Sequence, residues 1–105
     1  MQIKMRNFSS RVLNQVKCIP KGKVLTYKIL AEKVGYPKAC RSIGNVLNKN
    51  NNLVKIPCHR VVMSDGSVGG YQLGEKRKIS ILKKEGIKIN KAGKIKNLEN
   101  FLFKI

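Results

Sequence analysis

The stretch TYKILAEKVGYPKACRSIGNVLNK, residues 26–49, decides how the rest of this chain is read. Thr26 has the hydroxyl that an N-cap needs, and the spacing predicts a helix over Tyr27–Val34 closed by Gly35 at the C′ position. Pro37 suits the first turn of a further helix running to about Lys49. That second helix sets Ala39, Ile43, Val46 and Leu47 on one face. The other face carries Lys38, Arg41, Ser42, Asn45, Asn48 and Lys49. Two short helices around a Gly-bearing turn, the second polar and basic outside, form a helix-turn-helix pattern. Many small helical hairpins share it, so the pattern needs support from elsewhere in the chain.

On the N-terminal side, Phe8, Val12, Leu13 and Val16 predict an amphipathic helix over residues 8–18, ended by Pro20-Lys21-Gly22, with Val24-Leu25 as a short extended link. On the C-terminal side, Asn48, Asn50, Asn51 and Asn52 stop the helix, because short amide side chains compete for the backbone. Val54–Met63 contains the run Ile56-Pro57-Cys58-His59-Arg60-Val61-Val62, and Ser64-Asp65-Gly66-Ser67 is turn chemistry. Glu75–Glu85 reads as a helix on Ile79 and Leu82, stopped by Gly86. Ile87, Ile89 and Ile95 flank Asn90–Lys94 as a hairpin. The apolar tail Leu98, Phe101, Leu102, Phe103 and Ile105 should pack back on the rest. The expected fold is α/β but mostly helical and winged-helix-like: one domain over 1–105, with short strands and a C-terminal hairpin.

Charge supplies the support. The chain has 105 residues, 23 Lys or Arg against 5 Asp or Glu, and a net charge of +18. Residues 1–60 hold 13 of the basic residues and the single acid Glu32. Such asymmetry favours a phosphate backbone as partner, met mainly by the N-terminal half. No run is long and apolar enough to span a bilayer, and Lys4 and Arg6 are not followed by the apolar stretch of a signal peptide. Three cysteines, Cys18, Cys40 and Cys58, without a C-x-x-C pair, fit neither a disulfide framework nor a zinc knuckle. Reduced thiols and a cytoplasmic home, nuclear in a eukaryote, are expected, with no metal and no cofactor. Cys18 is expected in the core, and Cys40 as small-residue packing.

Pro57-Cys58-His59-Arg60 is the one segment that concentrates reactive groups. A cysteine is nucleophilic only as thiolate and needs a base or a positive field beside it. On an extended strand, neighbouring side chains point to opposite faces, so His59 would reach Cys58 only through a backbone bend or a water. Pro57 can hold such a bend, and Glu85 could orient the imidazole in a Cys–water–His–Glu relay. Taken alone, a Cys-His dipeptide is more often an inert core thiol beside a structural histidine.

The wider run Ile56-Pro57-Cys58-His59-Arg60-Val61-Val62 resembles the active-site signature of the O6-alkylguanine-DNA alkyltransferases. Lys21–Val24, Thr26-Tyr27, Leu30-Ala31, Pro37–Ala39 and Arg41–Gly44 follow that family's order before the cysteine. Gly66–Tyr71 and Leu82 to Gly86 follow it afterwards, so the likeness runs from about Phe8 to Ile87 and leaves 88–105 as an extension. The resemblance implies that Cys58 accepts the alkyl group irreversibly, that His59 takes the thiol proton through a water, and that Glu85 stands behind it. It implies that Tyr27 crowds the DNA backbone and hydrogen-bonds the leaving guanine, that Arg41 fills the gap left by the flipped base, and that Asn50 braces the turn. Pro57, Val61, Ser64 and Tyr71 would line the guanine pocket. Lys38, Ser42, Asn45 and Lys49 would meet the duplex beside Arg41. The helix-turn-helix would sit in the minor groove of double-stranded DNA, with a wedge holding the stack open. A monomer with no membrane association is expected.

Departures from the family pattern are specific. The N-terminal domain that usually precedes this module, and its zinc site, are expected to be missing. Asn51-Asn52-Leu53 stands where prolines are common, which predicts a flexible pocket rim, and Gln72 stands where a small hydroxyl residue is common. A single-domain length with this tail is also similar to alkyltransferase-like proteins, which bind alkylated guanine without the nucleophile and flag it for excision repair. A generic basic DNA-binding protein would leave Pro57–Arg60 unexplained.

Overall fold

The computed structural model describes residues 2–104, and their side chains from Phe8 onward. The order is α1 (Gln2–Lys17), β1 (Leu25–Thr26), α2 (Tyr27–Lys33), α3 (Cys40–Asn48), a 3₁₀ turn at Cys58–Arg60, β2 (Val61–Val62), α4 (Glu75–Lys84) and a second 3₁₀ turn at Leu98–Phe101. No described helix is long and apolar enough to cross a membrane.

The helix-turn-helix forms as its local signals require. The Thr26 hydroxyl accepts from Ile29 N–H at 3.0 Å, which caps α2. Gly35, at φ +90°, lets Gly35 N–H reach Glu32 O and Tyr36 N–H reach Ala31 O, a Schellman closure. The connection then departs from expectation. Pro37 lies outside α3, which begins at Cys40. Ala39 N–H bonds Tyr36 O at 2.9 Å, so Pro37 takes the second corner of a β-turn, where its fixed φ is equally suited. Ile43 and Leu47 of α3 enter a core of Phe8, Val12 and Val16 from α1 with Leu30, Ala31 and Val34.

The two strands are parallel, with Leu25 opposite Val61 and Thr26 opposite Val62. All four residues are buried. This pair of short strands sets the start of the helix-turn-helix beside the end of the reactive segment. Behind it, Val24, Val62, Val68, Leu82, Ile87 and Ile95 make a second core cluster. The predicted hairpin exists as a turn with one antiparallel bridge, Ile89 to Ile95, rather than as two strands. Leu98, Phe101 and Leu102 pack on the second cluster and Phe103 on the first. Ile105 lies outside the described residues. Cys18 is exposed, not in the core, because it falls one residue past the end of α1, where its thiol donates back to Asn14 O. Cys40 is exposed as well, since α3 turns its first residue outward rather than into packing.

Candidate active site

The reactive segment folds into a turn, the bend that Pro57 can hold, and not into an extended strand. Pro57 at φ −78° and ψ 74° closes an inverse γ-turn in which Cys58 N–H reaches Ile56 O at 2.8 Å. Arg60 N–H then bonds Pro57 O at 2.9 Å, and only Val61 and Val62 become strand. The β-branched pair suggests extension throughout, but proline's ring overrides it upstream. Cys58 and His59 therefore do not alternate across a sheet; both are buried.

Asn50 donates its amide to Cys58 Sγ at 2.9 Å and to Ile56 O at 3.0 Å. The sulfur faces Leu47 O at 3.8 Å. Burial pushes the Cys58 thiol above its ordinary pKa, while the Asn50 hydrogen bond and the Lys78 charge work the other way. The resting sulfur is thus held as thiol, with two groups in place that favour the thiolate.

His59 Nε2 meets Glu85 Oε2 at 3.0 Å. Glu85 also receives Arg60 Nε at 3.0 Å and Arg60 Nη2 at 2.6 Å, a two-pronged pair. Burial works to raise the Glu85 carboxyl, but the Arg60 and His59 hydrogen bonds outweigh it and hold it below the usual carboxylate range. An ionised Glu85 can only accept, so His59 Nε2 carries the proton and Nδ1 is left with its lone pair. Burial holds the imidazole pKa down, and the Glu85 contact only partly offsets this. A neutral imidazole with a free Nδ1 is a competent base. Glu85, the residue closing α4, finds in Arg60 the partner its charge needs at a helix C-terminus.

Arg60 goes further, with Nη1 bonded to Ile19 O at 2.8 Å, so one guanidinium ties the end of α1 to the end of α4. Sequence reasoning assigned Arg60 no part in this. It also passed over Lys78. This lysine is completely buried, with Nζ donating to Val61 O at 2.7 Å and Gly70 O at 3.0 Å and standing 5.9 Å from the centre of the Tyr27 ring. Burial lowers its pKa to about 8. A signal was present: Lys78, Leu82 and Glu85 are spaced i, i+4, i+7, one face of a helix, and Lys78 occupies an apolar register.

The remaining candidates fall in several places. Tyr27, Arg41 and Ser64 line one cleft of about 430 Å³ with Met63, Gly69 and Gly70. Gly69 is needed there: it holds φ +76°, and a Cβ would stand 3.3 Å from the Met63 side chain and 3.5 Å from the Tyr27 ring. Burial raises the Tyr27 hydroxyl pKa, keeping it a donor. Tyr71 stands edge-on to His59, ring centres 6.3 Å apart. Pro57 and Val61 are buried on either side of the turn. By contrast, Lys38 and Ser42 line a groove with Phe8 and Tyr36, and Asn45 and Lys49 one with Ser9 and Leu13. They occupy the flank of α3 nearer α1, away from the cleft that Arg41 borders.

Fold and site together define a helix-turn-helix domain built around one buried cysteine with a buried histidine beside it. The chain belongs to the 6-O-methylguanine DNA methyltransferase family, whose DNA-binding domain matches residues 7–87. It is 43% identical over 89 residues to the methylated-DNA–protein-cysteine methyltransferase of Saccharolobus solfataricus, covering 85% of this chain and 57% of that protein. It is 51% identical over 72 residues to a bifunctional methyltransferase/endonuclease of Picrophilus torridus, covering 69% of this chain and 24% of the relative. The chain thus spans about half the length, or less, of these curated relatives. Among solved structures, S. pombe Atl1 in complex with damaged DNA containing O6-carboxymethylguanine has a TM-score of 0.82 at 32% identity, covering 96% of this chain and 98% of that one. Mycobacterium tuberculosis OGT in complex with DNA has a TM-score of 0.73 at 34% identity, covering 76% and 49%.

Proposed function

We propose that this chain, acting as one unit inside the cell, repairs double-stranded DNA by moving the alkyl group of an extruded O6-methylguanine onto Cys58. The observation that carries the reading is the arrangement at the turn: a buried sulfur contacted by Asn50, next to a neutral His59 oriented by Glu85 and Arg60. The Cys58 S–H proton passes through a water to His59 Nδ1. The sulfur attacks the methyl carbon, a C–S bond forms and the C–O6 bond breaks. The leaving guanine takes up one proton, so that over the whole step the proton lost by the thiol ends on the base. Tyr27, still protonated, donates to the departing base, and Arg41 holds the vacated place in the stack. Nothing regenerates the thiol, so each molecule acts once. Base chemistry inside a duplex requires this extrusion, and the basic helix-turn-helix supplies the grip on phosphate.

A second reading is favoured by the near-complete overlap with Atl1: binding of alkylated guanine without transfer, to mark the lesion for excision repair. Intact mass after mixing with an O6-methylguanine duplex separates the two. The transfer reading expects a gain of one methyl group that Cys58→Ser abolishes. Tight lesion binding at unchanged mass overturns it.

A further inference from the structure

The rim of the cysteine site is built from the end of α3, the turn at 50–56 and the loop at 71–74. Without prolines after Asn50, the sequence predicts a loose rim. The structure shows a pinned one. Asn52 N–H bonds the Asn50 side-chain oxygen at 3.0 Å, Lys55 N–H the Asn52 side-chain oxygen at 3.1 Å, and Ile56 N–H the Asn52 carbonyl at 3.0 Å. The asparagines that end α3 do by side-chain bonding what proline rings would do by restricting φ.

The loop on the far side is held by one side chain. Gln72 Nε2 donates to Leu47 O at 2.8 Å and to Asn50 O at 2.7 Å, across 25 and 22 residues of sequence. Both acceptors matter to the sulfur. Leu47 O is the carbonyl that Cys58 Sγ faces, and Asn50 is the residue whose amide touches Sγ. A carboxamide NH₂ has two protons and can serve two carbonyls at once. A hydroxyl, with one proton on a shorter side chain, cannot.

We propose that Gln72 is a positioning residue for the alkyl acceptor: its carboxamide clasps the Tyr71 loop to the end of α3 and so holds the Asn50 amide on the Cys58 sulfur. A bond from Asn50 to a developing thiolate is charge-assisted, and its strength depends on Asn50 staying aligned. Gln72 thus acts on the thiol through Asn50, without touching it. The proposal rests on Cys58 being the alkyl acceptor, but its test does not need DNA.

The test is the pH profile of Cys58 alkylation by iodoacetamide, read on the Cys58 peptide by mass so that the exposed Cys18 and Cys40 do not interfere. Wild type, Gln72→Ser, Asn50→Ala and the double variant are compared. Gln72 is itself exposed, so its variants are expected to fold, and their melting curves are recorded alongside. Gln72→Ser should move the profile to higher pH and slow alkylation at neutral pH about tenfold, the loss expected for a weakened bond to a charged group. Asn50→Ala should do the same, and the double variant should be no slower than Asn50→Ala alone. An unmoved profile in Gln72→Ser, or losses that add in the double variant, overturns the proposal. If wild type gains no methyl from an O6-methylguanine duplex while this iodoacetamide pattern holds, alkyl transfer falls and the clasp stands.

Discussion

The turn at Cys58–Arg60 and the outer face of α3 are neighbours with opposite characters. At the turn, Cys58, His59, Arg60 and Glu85 all have fixed partners, and no buried side-chain nitrogen or oxygen among the described residues lacks one. On α3, Arg41, Asn45 and Lys49 are exposed, and Arg41 merely borders a cleft. In the proposed function this difference separates chemistry from recognition. Catalytic groups gain from being organised before the substrate arrives, because no reorganisation is then needed during reaction. Groups that meet a duplex gain from remaining hydrated until phosphate replaces the water.

The sharpest way to break this contrast is at the base. His59→Gln keeps a donor for Glu85 but loses the imidazole, and single-turnover methyl transfer should slow about 100-fold, with lesion affinity nearly unchanged. A parallel fall in affinity, measured by fluorescence anisotropy, would show that the turn also recognises DNA. Glu85→Gln strikes the scaffold of the turn and should reduce stability by roughly 2 kcal/mol in chemical denaturation, by weakening charge-assisted bonds to Arg60 and His59. The pH dependence follows from the directions of both shifts. Glu85 and His59 each have folded pKa values below their ordinary ones, so the folded state binds fewer protons than the unfolded chain. Their contribution is present at neutral pH and is lost as pH falls, first through the histidine range and then through the carboxylate range. The melting temperature of wild type should therefore drop on acidification, and Glu85→Gln should flatten the lower part of that curve. The smallest effect belongs to the exposed side. Arg41→Ala should slow repair in duplex DNA about tenfold, since only an intact stack needs a wedge, and should leave reaction with free O6-methylguanine base nearly unchanged. Equal losses on both substrates would remove Arg41 from the wedge role.

What was legible in the sequence was local. Thr26, Gly35 and the apolar spacing of α2 and α3 act over a few residues, and the helix-turn-helix followed. The alkyltransferase signature placed Cys58, His59, Glu85 and Asn50 in one account, and the structure brings their side chains into contact as two pairs, Asn50 with Cys58 and His59 with Glu85. Interactions spanning distant parts of the chain were hidden. Arg60 is 25 residues from Glu85 and 41 from Ile19, and Lys78 is 17 from Val61, with nothing in their neighbourhoods naming those partners. Pro37 was misplaced because a fixed φ serves a helix start and a turn corner alike. The bend that Pro57 can hold is the one the structure adopts at Cys58, and only Val61 and Val62 are extended.

The clamp that Arg60 makes between Ile19 and Glu85 bears on when the protein becomes reactive. The surroundings of the sulfur are gathered from the end of α1, the end of α3, the 50–56 turn and α4, so contacts of long sequence separation must close before the site exists. Such closures come late in folding and cost loop entropy. A nascent or partly opened chain therefore carries an ordinary cysteine, with none of the proton-handling partners around it. Under the proposed transfer, reactivity becomes a property of the finished tertiary structure, and a chain that acts once is kept from being spent during its own synthesis.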